Sequence, residues 1–211
     1  LEGLALVNLA GGDTSIIGGA PMALCGTISL RDSLLLQCDT TIEQGATIHT
    51  IDSGSVVFFD SHTLANGIRG GAITGNGVVN VQTVTLLAGF GTIDPEVRNF
   101  GEIAAEGGWL VLNGEMDFAG NLRVADVDSV LWISQPWTLP AGRTMEIRDG
   151  WLSGASPTNT GSFTGHGFLA VPVLTNDARI APGVGGHDGS EGTGILAMTG
   201  DLQLNSTSVF E

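Results

Sequence analysis

Thr41-Ile42-Glu43-Gln44-Gly45-Ala46-Thr47-Ile48 is a short apolar–polar alternation, a glycine break, and a second short alternation. Sliding the chain by 97 positions lays it without a gap over Thr138-Leu139-Pro140-Ala141-Gly142-Arg143-Thr144-Met145. Both stretches read Thr, apolar, x, x, Gly, x, Thr, apolar. Alternation with period two marks half-buried strands, and glycine supplies the bend between them. A repeated strand–turn–strand unit points to stacked rungs.

Further echoes follow in the same order. Gly89-Phe90-Gly91-Thr92-Ile93, then Val97, Asn99 and Ile103, matches Gly165-His166-Gly167-Phe168-Leu169, then Val173, Asn176 and Ile180. Leu110-Val111-Leu112-Asn113-Gly114-Glu115-Met116 matches Leu196-Ala197-Met198-Thr199-Gly200-Asp201-Leu202. The offset changes between echoes, as expected when loops vary in length between strands of fixed length. Gly75-Asn76-Gly77-Val78-Val79 reads as a further copy of the turn–strand unit.

Elsewhere, runs rich in Val, Ile, Leu and Thr recur at Thr27–Leu30, 34–37, Val56–Phe59, 78–87, 109–112, Val130–Ile133 and 168–174. The 33 glycines interrupt nearly every ten-residue window, each costing a helix interior about 1 kcal/mol relative to Ala. The expected fold is therefore all-β, a right-handed parallel β-helix (β-solenoid), with a β-sandwich as the alternative. Residues 1–211 form one repetitive domain of two related halves, about 26–125 and 126–211. A rung of about 20 residues cannot bury its apolar face alone, so the rungs must stack. Trp109, Trp132, Trp137, Trp151 and the phenylalanines are expected in the core of the rungs or at caps, with a ligand platform as the lesser alternative.

The composition excludes several functions. Lys and Tyr are absent, and seven Arg face 22 Asp and Glu, for a net charge of -15 among 211 residues. No basic stripe is available to neutralise phosphates, so nucleic acid is not an expected partner. No stretch of 18 apolar residues occurs, so this segment is not expected to insert into a membrane. With 42% hydrophobic and 14% charged residues, the chain is not expected to be disordered. An acidic, lysine-free surface suits a saline or extracellular medium, where screening weakens self-repulsion.

The repeat units resemble those of secreted bacterial β-solenoids, the autotransporter passenger domains and related surface-protein repeats. The resemblance is carried by 41–48, by the Gly-x-Gly-Thr-Ile turn at 89–93, and by Asn99-Phe100-Gly101-Glu102-Ile103-Ala104. It is closest in Ile180-Ala181-Pro182-Gly183, Gly192-Thr193-Gly194-Ile195-Leu196 and Thr199-Gly200-Asp201-Leu202-Gln203-Leu204. The loop at 184–192 is longer than the family's turn. The resemblance implies a location outside the cell or on a bacterial surface. It also implies strands that continue past Glu211, and Leu1 stands without an initiator Met. The chain is therefore expected to be a fragment of a longer surface protein.

Candidate chemistry is sparse. Asp126 and Asp128, spaced i and i+2, would share one side of a strand. They could serve as a glycosidase pair or as Ca²⁺ ligands, but a solvated acidic turn is the favoured reading. Asp188 and Glu191, in the glycine-rich stretch 185–192, are the other Ca²⁺ candidates. Cys25 and Cys38 either form one disulfide or remain free buried thiols. His49, His62, His166 and His187 lack the helical spacing of a zinc protease, and no Gly-x-Ser-x-Gly elbow or Walker loop occurs. The expected function is a non-catalytic, secreted structural or adhesive module. It would associate with itself, for example as fibres, or with a host or matrix surface, and it has no required cofactor. The alternative is a carbohydrate-active β-helix enzyme or a carbohydrate-binding module acting on polysaccharide.

Overall fold

The alternating runs form short strands because β-branched and leucine side chains can bury one side of a pleat while the other side meets water. The computed structural model describes residues 7–9, 14–18, 21–60, 66–183 and 194–210, with the backbone alone for 7–9. Among these residues every strand pairing is parallel, and the chain winds into a β-solenoid of about eight turns. Parallel pairing throughout is incompatible with the antiparallel sheets of a β-sandwich.

Each turn lays strands on three faces. Thr27–Leu30 belongs to face one, Ser33–Leu36 to face two and Thr40–Glu43 to face three; Thr47–Thr50 then returns to face one. Successive turns pair in register. On face one the inward ladder is Ile28, Ile48, Ile73, Ile93, Leu112 and Ile133. On face two it is Leu34, Val57, Val79, Val97 and Met116. On face three it is Leu87, Ile103, Leu122, Met145, Phe163 and Ile180. Apart from half-buried Met116, these side chains are buried, and they form one continuous core. The ladders of faces one and three run unbroken past Ala125 and Asp126, whereas the pairing of strands on face two breaks after Met116–Phe118.

Two corner chemistries hold the faces at their angle. Between faces three and one, Gly165 takes a left-handed φ of 101°. A Cβ there would lie 2.0 Å from the carbonyl oxygen of Ile147 on the previous turn, so only glycine fits. Between faces two and three, a buried Asn bridges neighbouring turns. Asn159 Nδ2 donates to Asn176 Oδ1 at 2.6 Å and to the Arg179 carbonyl at 2.9 Å, and its Oδ1 accepts from the Gly161 amide at 3.0 Å. Asn99 repeats the arrangement with the Asn121 carbonyl and the Gly101 amide. Corner peptide groups that would otherwise lack partners are satisfied in this way.

The in-phase echoes are those of Gly89 with Gly165 and of Gly114 with Gly200, each pair occupying one corner. The 97-residue echo is displaced by one face. Thr40–Glu43 lies on face three, whereas its match around Trp137–Leu139 lies on face two. Gly45 and Gly142 therefore turn different corners with nearly the same φ, 78° and 77°. Local sequence encodes the kind of bend, not the face that the bend leads to.

The thiols do not pair. Cys25 follows Met22–Leu24 at one corner and is exposed. Cys38 follows Ser33–Leu36 at another and is buried beside Thr40. Both are free: Cys25 stands at the corner between faces three and one, and Cys38 at that between faces two and three.

Candidate functional site

Only one of the four tryptophans is in the core. Trp137 is 4% exposed and packs edge-on against Phe118, with ring centroids 5.3 Å apart, and beside Phe163 at 6.2 Å. Trp109, Trp132 and Trp151 project outward from face one at 58%, 37% and 39% exposure, correcting the expectation that they fill the rungs. Phe168 joins them at 40%. The reason is the pleat: Leu110, Leu131 and Leu152 occupy one inward ladder, so their immediate neighbours point outward, where the large indoles stand exposed and the small Val130 between them is covered, at 9% exposure. The strings Trp109-Leu110-Val111-Leu112 and Leu131-Trp132-Ile133 already carry that alternation.

The outward ladder runs Trp109, Val130, Trp151, Phe168 and Ala197 over successive turns. Trp151 stacks on Phe168 with centroids 4.3 Å apart and planes 13° from parallel. Trp109 stacks with Trp132 on the neighbouring turn, at 6.3 Å and 20°. The small Val130 separates Trp109 from Trp151, leaving an open cavity of about 550 Å³ lined by both indoles, Val127, Asp128, Val130 and Ser153. Trp132 is tied in place by a chain of hydrogen bonds. Its Nε1 donates to Ser134 Oγ at 3.1 Å, Ser134 donates to Asn113 Oδ1 at 2.7 Å, and Asn113 donates to Asp94 Oδ1 at 2.8 Å.

The corner leading onto face one carries acid on three consecutive turns: Glu106, then Asp126 and Asp128, then Asp149. Asp126 lies in a turn, not on a strand, so it does not share a strand side with Asp128. Its Oδ1 accepts from the Asp128 amide at 3.1 Å and from Ser129 Oγ at 2.6 Å, and its Oδ2 accepts from the Gly107 amide at 3.2 Å. That carboxylate therefore builds the corner, in the manner of an Asx turn. Asp128 is exposed and lines the aromatic cavity. Asp149, at φ 61°, reaches His166 Nε2 on the following turn at 3.2 Å. A second open cavity, about 530 Å³, continues the face past Phe168 to Ile195.

No group of three or more His, Cys, Asp or Glu side chains converges as a metal site among the described residues. Asp188, Glu191 and His187 lie outside the described residues. Arg98 pairs with Glu96 at 2.6 Å, a bond that raises its pKa, and Arg123 pairs with Glu102 and Arg148 with Glu146, each at 2.8 Å. No protein-family model, curated protein or solved structure matches the chain.

Proposed function

We propose that the chain is a non-catalytic surface module that works outside the cell, on a bacterial surface. It would hold a partner or matrix through the aromatic face of its solenoid. One observation carries the proposal: three tryptophans and a phenylalanine stand in solvent on a single face. Exposed apolar surface collected in one place marks an interaction site, whereas scattered exposure does not. The lysine-free acidic composition agrees with a saline exterior.

The test is adhesion. Beads coated with the chain are washed under flow over films of insoluble polysaccharide and of protein. The wild type is expected to be retained. The triple substitution Trp109→Ala, Trp132→Ala and Trp151→Ala should wash away while keeping the wild-type circular dichroism. Equal retention of both proteins would reject the aromatic face as the adhesive surface. A second reading, a carbohydrate-active or carbohydrate-binding β-helix, is favoured by the exposed indoles, which suit stacking against sugar rings. Release of reducing ends from polysaccharide by the purified chain would select the enzyme.

A further inference from the structure

We infer that the slot between Trp109 and Trp151 binds the guanidinium groups of an arginine-rich, extended segment of a partner protein laid along the solenoid axis. The inference rests on the docking role proposed above and names the chemistry of the occupant.

The slot's shape comes from the ladder. Trp151 has one face covered by Phe168 on the following turn. Its other face looks toward the preceding turn, where Val130 is too short to cover it. Trp109 lies one turn beyond Val130, stacked with Trp132 of that middle turn, and lines the far side of the cavity. Two strand spacings, about 9.6 Å, separate the backbones that carry the two tryptophans. A planar group touching a ring on each side at van der Waals distance needs roughly 7–8 Å. The cavity has room for a planar group against an indole face, and the guanidinium is the planar side-chain cation that stays charged at neutral pH.

Charge selects a cation. Asp128 lines the slot; Glu106, on the preceding turn of the same corner, and Asp149, on the following one, line neighbouring cavities, and Asp126 closes the turn between them. Of the basic groups on this corner, Arg148 is engaged with Glu146 and His166 with Asp149, while Arg69 stands beside Glu106 in a neighbouring cavity. An indole face attracts a cation through its quadrupole, and a carboxylate beside it accepts the guanidinium's forked donors. Acid recurs on each of three successive turns, so a chain bearing several cations in line matches the corner better than one small cation would. A second copy of this protein is a poor occupant, since its net charge of -15 would repel the first.

The test is a titration of tryptophan fluorescence at physiological salt with a synthetic peptide alternating Arg and Ser. Parallel titrations use the Lys–Ser and Gln–Ser counterparts and a neutral oligosaccharide. The arginine peptide is expected to bind saturably. Trp151→Ala should weaken it about ten-fold, and so should Asp128→Asn combined with Asp149→Asn. All these side chains are solvent-exposed, and unchanged thermal melting of the variants verifies the fold. Equal binding of the glutamine peptide or the oligosaccharide would overturn the inference, as would a lysine peptide that matches arginine. Unchanged affinity in Trp151→Ala would show attraction to the net charge alone and would also overturn it. If the arginine peptide fails while coated beads still adhere through the tryptophans, the adhesive function stands without this occupant.

Discussion

At the scale of single residues, the same residue type has opposite uses according to the side of the pleat it occupies. Trp137→Ala removes a buried ring packed between Phe118 and Phe163 and is expected to cost about 3–5 kcal/mol in denaturant titration. Trp109→Ala, at 58% exposure, is expected to change stability by less than about 1 kcal/mol. Equal losses would contradict the assignment of faces. Glycine divides in the same way. Gly165→Ala places a Cβ against the Ile147 carbonyl at left-handed φ and should cost about 3 kcal/mol or more. Gly45→Ala has the same hand of φ but nothing within 4 Å, so only the backbone term of about 1–2 kcal/mol applies. The alternation around Leu110 and Leu131 made the exposure of the tryptophans legible in the sequence. It was hidden by the general expectation that large aromatics are interior. The closure of the Asp126 turn on Gly107 could not be read, because the two residues meet only through the stacking of turns.

At the scale of elements, strands and bends were visible one by one because each is written in a few adjacent residues. Thr27–Leu30, Val56–Phe59 and Val130–Ile133 stand where the sequence places them. The corner between faces two and three depends on a side chain that joins turns. Asn159→Ala would leave the Gly161 amide and the Arg179 carbonyl without their partner in a fully buried site. The expected loss is about 2–3 kcal/mol in chemical denaturation. Asn159→Asp keeps the acceptor but loses the amide donors and buries a charge, so it should be at least as damaging. A neutral outcome for both would mean that the corner is held by backbone pairing alone. Asn99 and Asn176 hold matching places in the sequence echo, but an isolated Asn is equally at home in an exposed turn. Its burial follows from the turn stacked above it.

At the scale of the whole molecule, stability is a sum over neighbouring turns. Amides in the ladder through Leu110, Leu131 and Leu152 are covered on both sides. Leu196–Leu204 is largely exposed, with Leu204 at 55%. Hydrogen exchange is expected to be slow in the former and fast in the latter, and uniform protection would contradict turn-by-turn cooperativity. The net charge of -15 opposes compaction, so added salt should raise the melting temperature. The number of faces and the phase of the first echo were not legible, since bends of one kind serve different corners. Those interchangeable bends also govern which changes of length the chain tolerates. Insertion or deletion of a whole turn returns every later strand to its own face and lengthens or shortens the rod. Loss of a single strand and its bend would rotate all later turns by one face, carrying Trp151 and Phe168 away from Trp109 with every local motif intact. Changes in length are therefore expected to come in whole turns, or as loops bulging from a corner, and the aromatic face persists only under those two kinds of change.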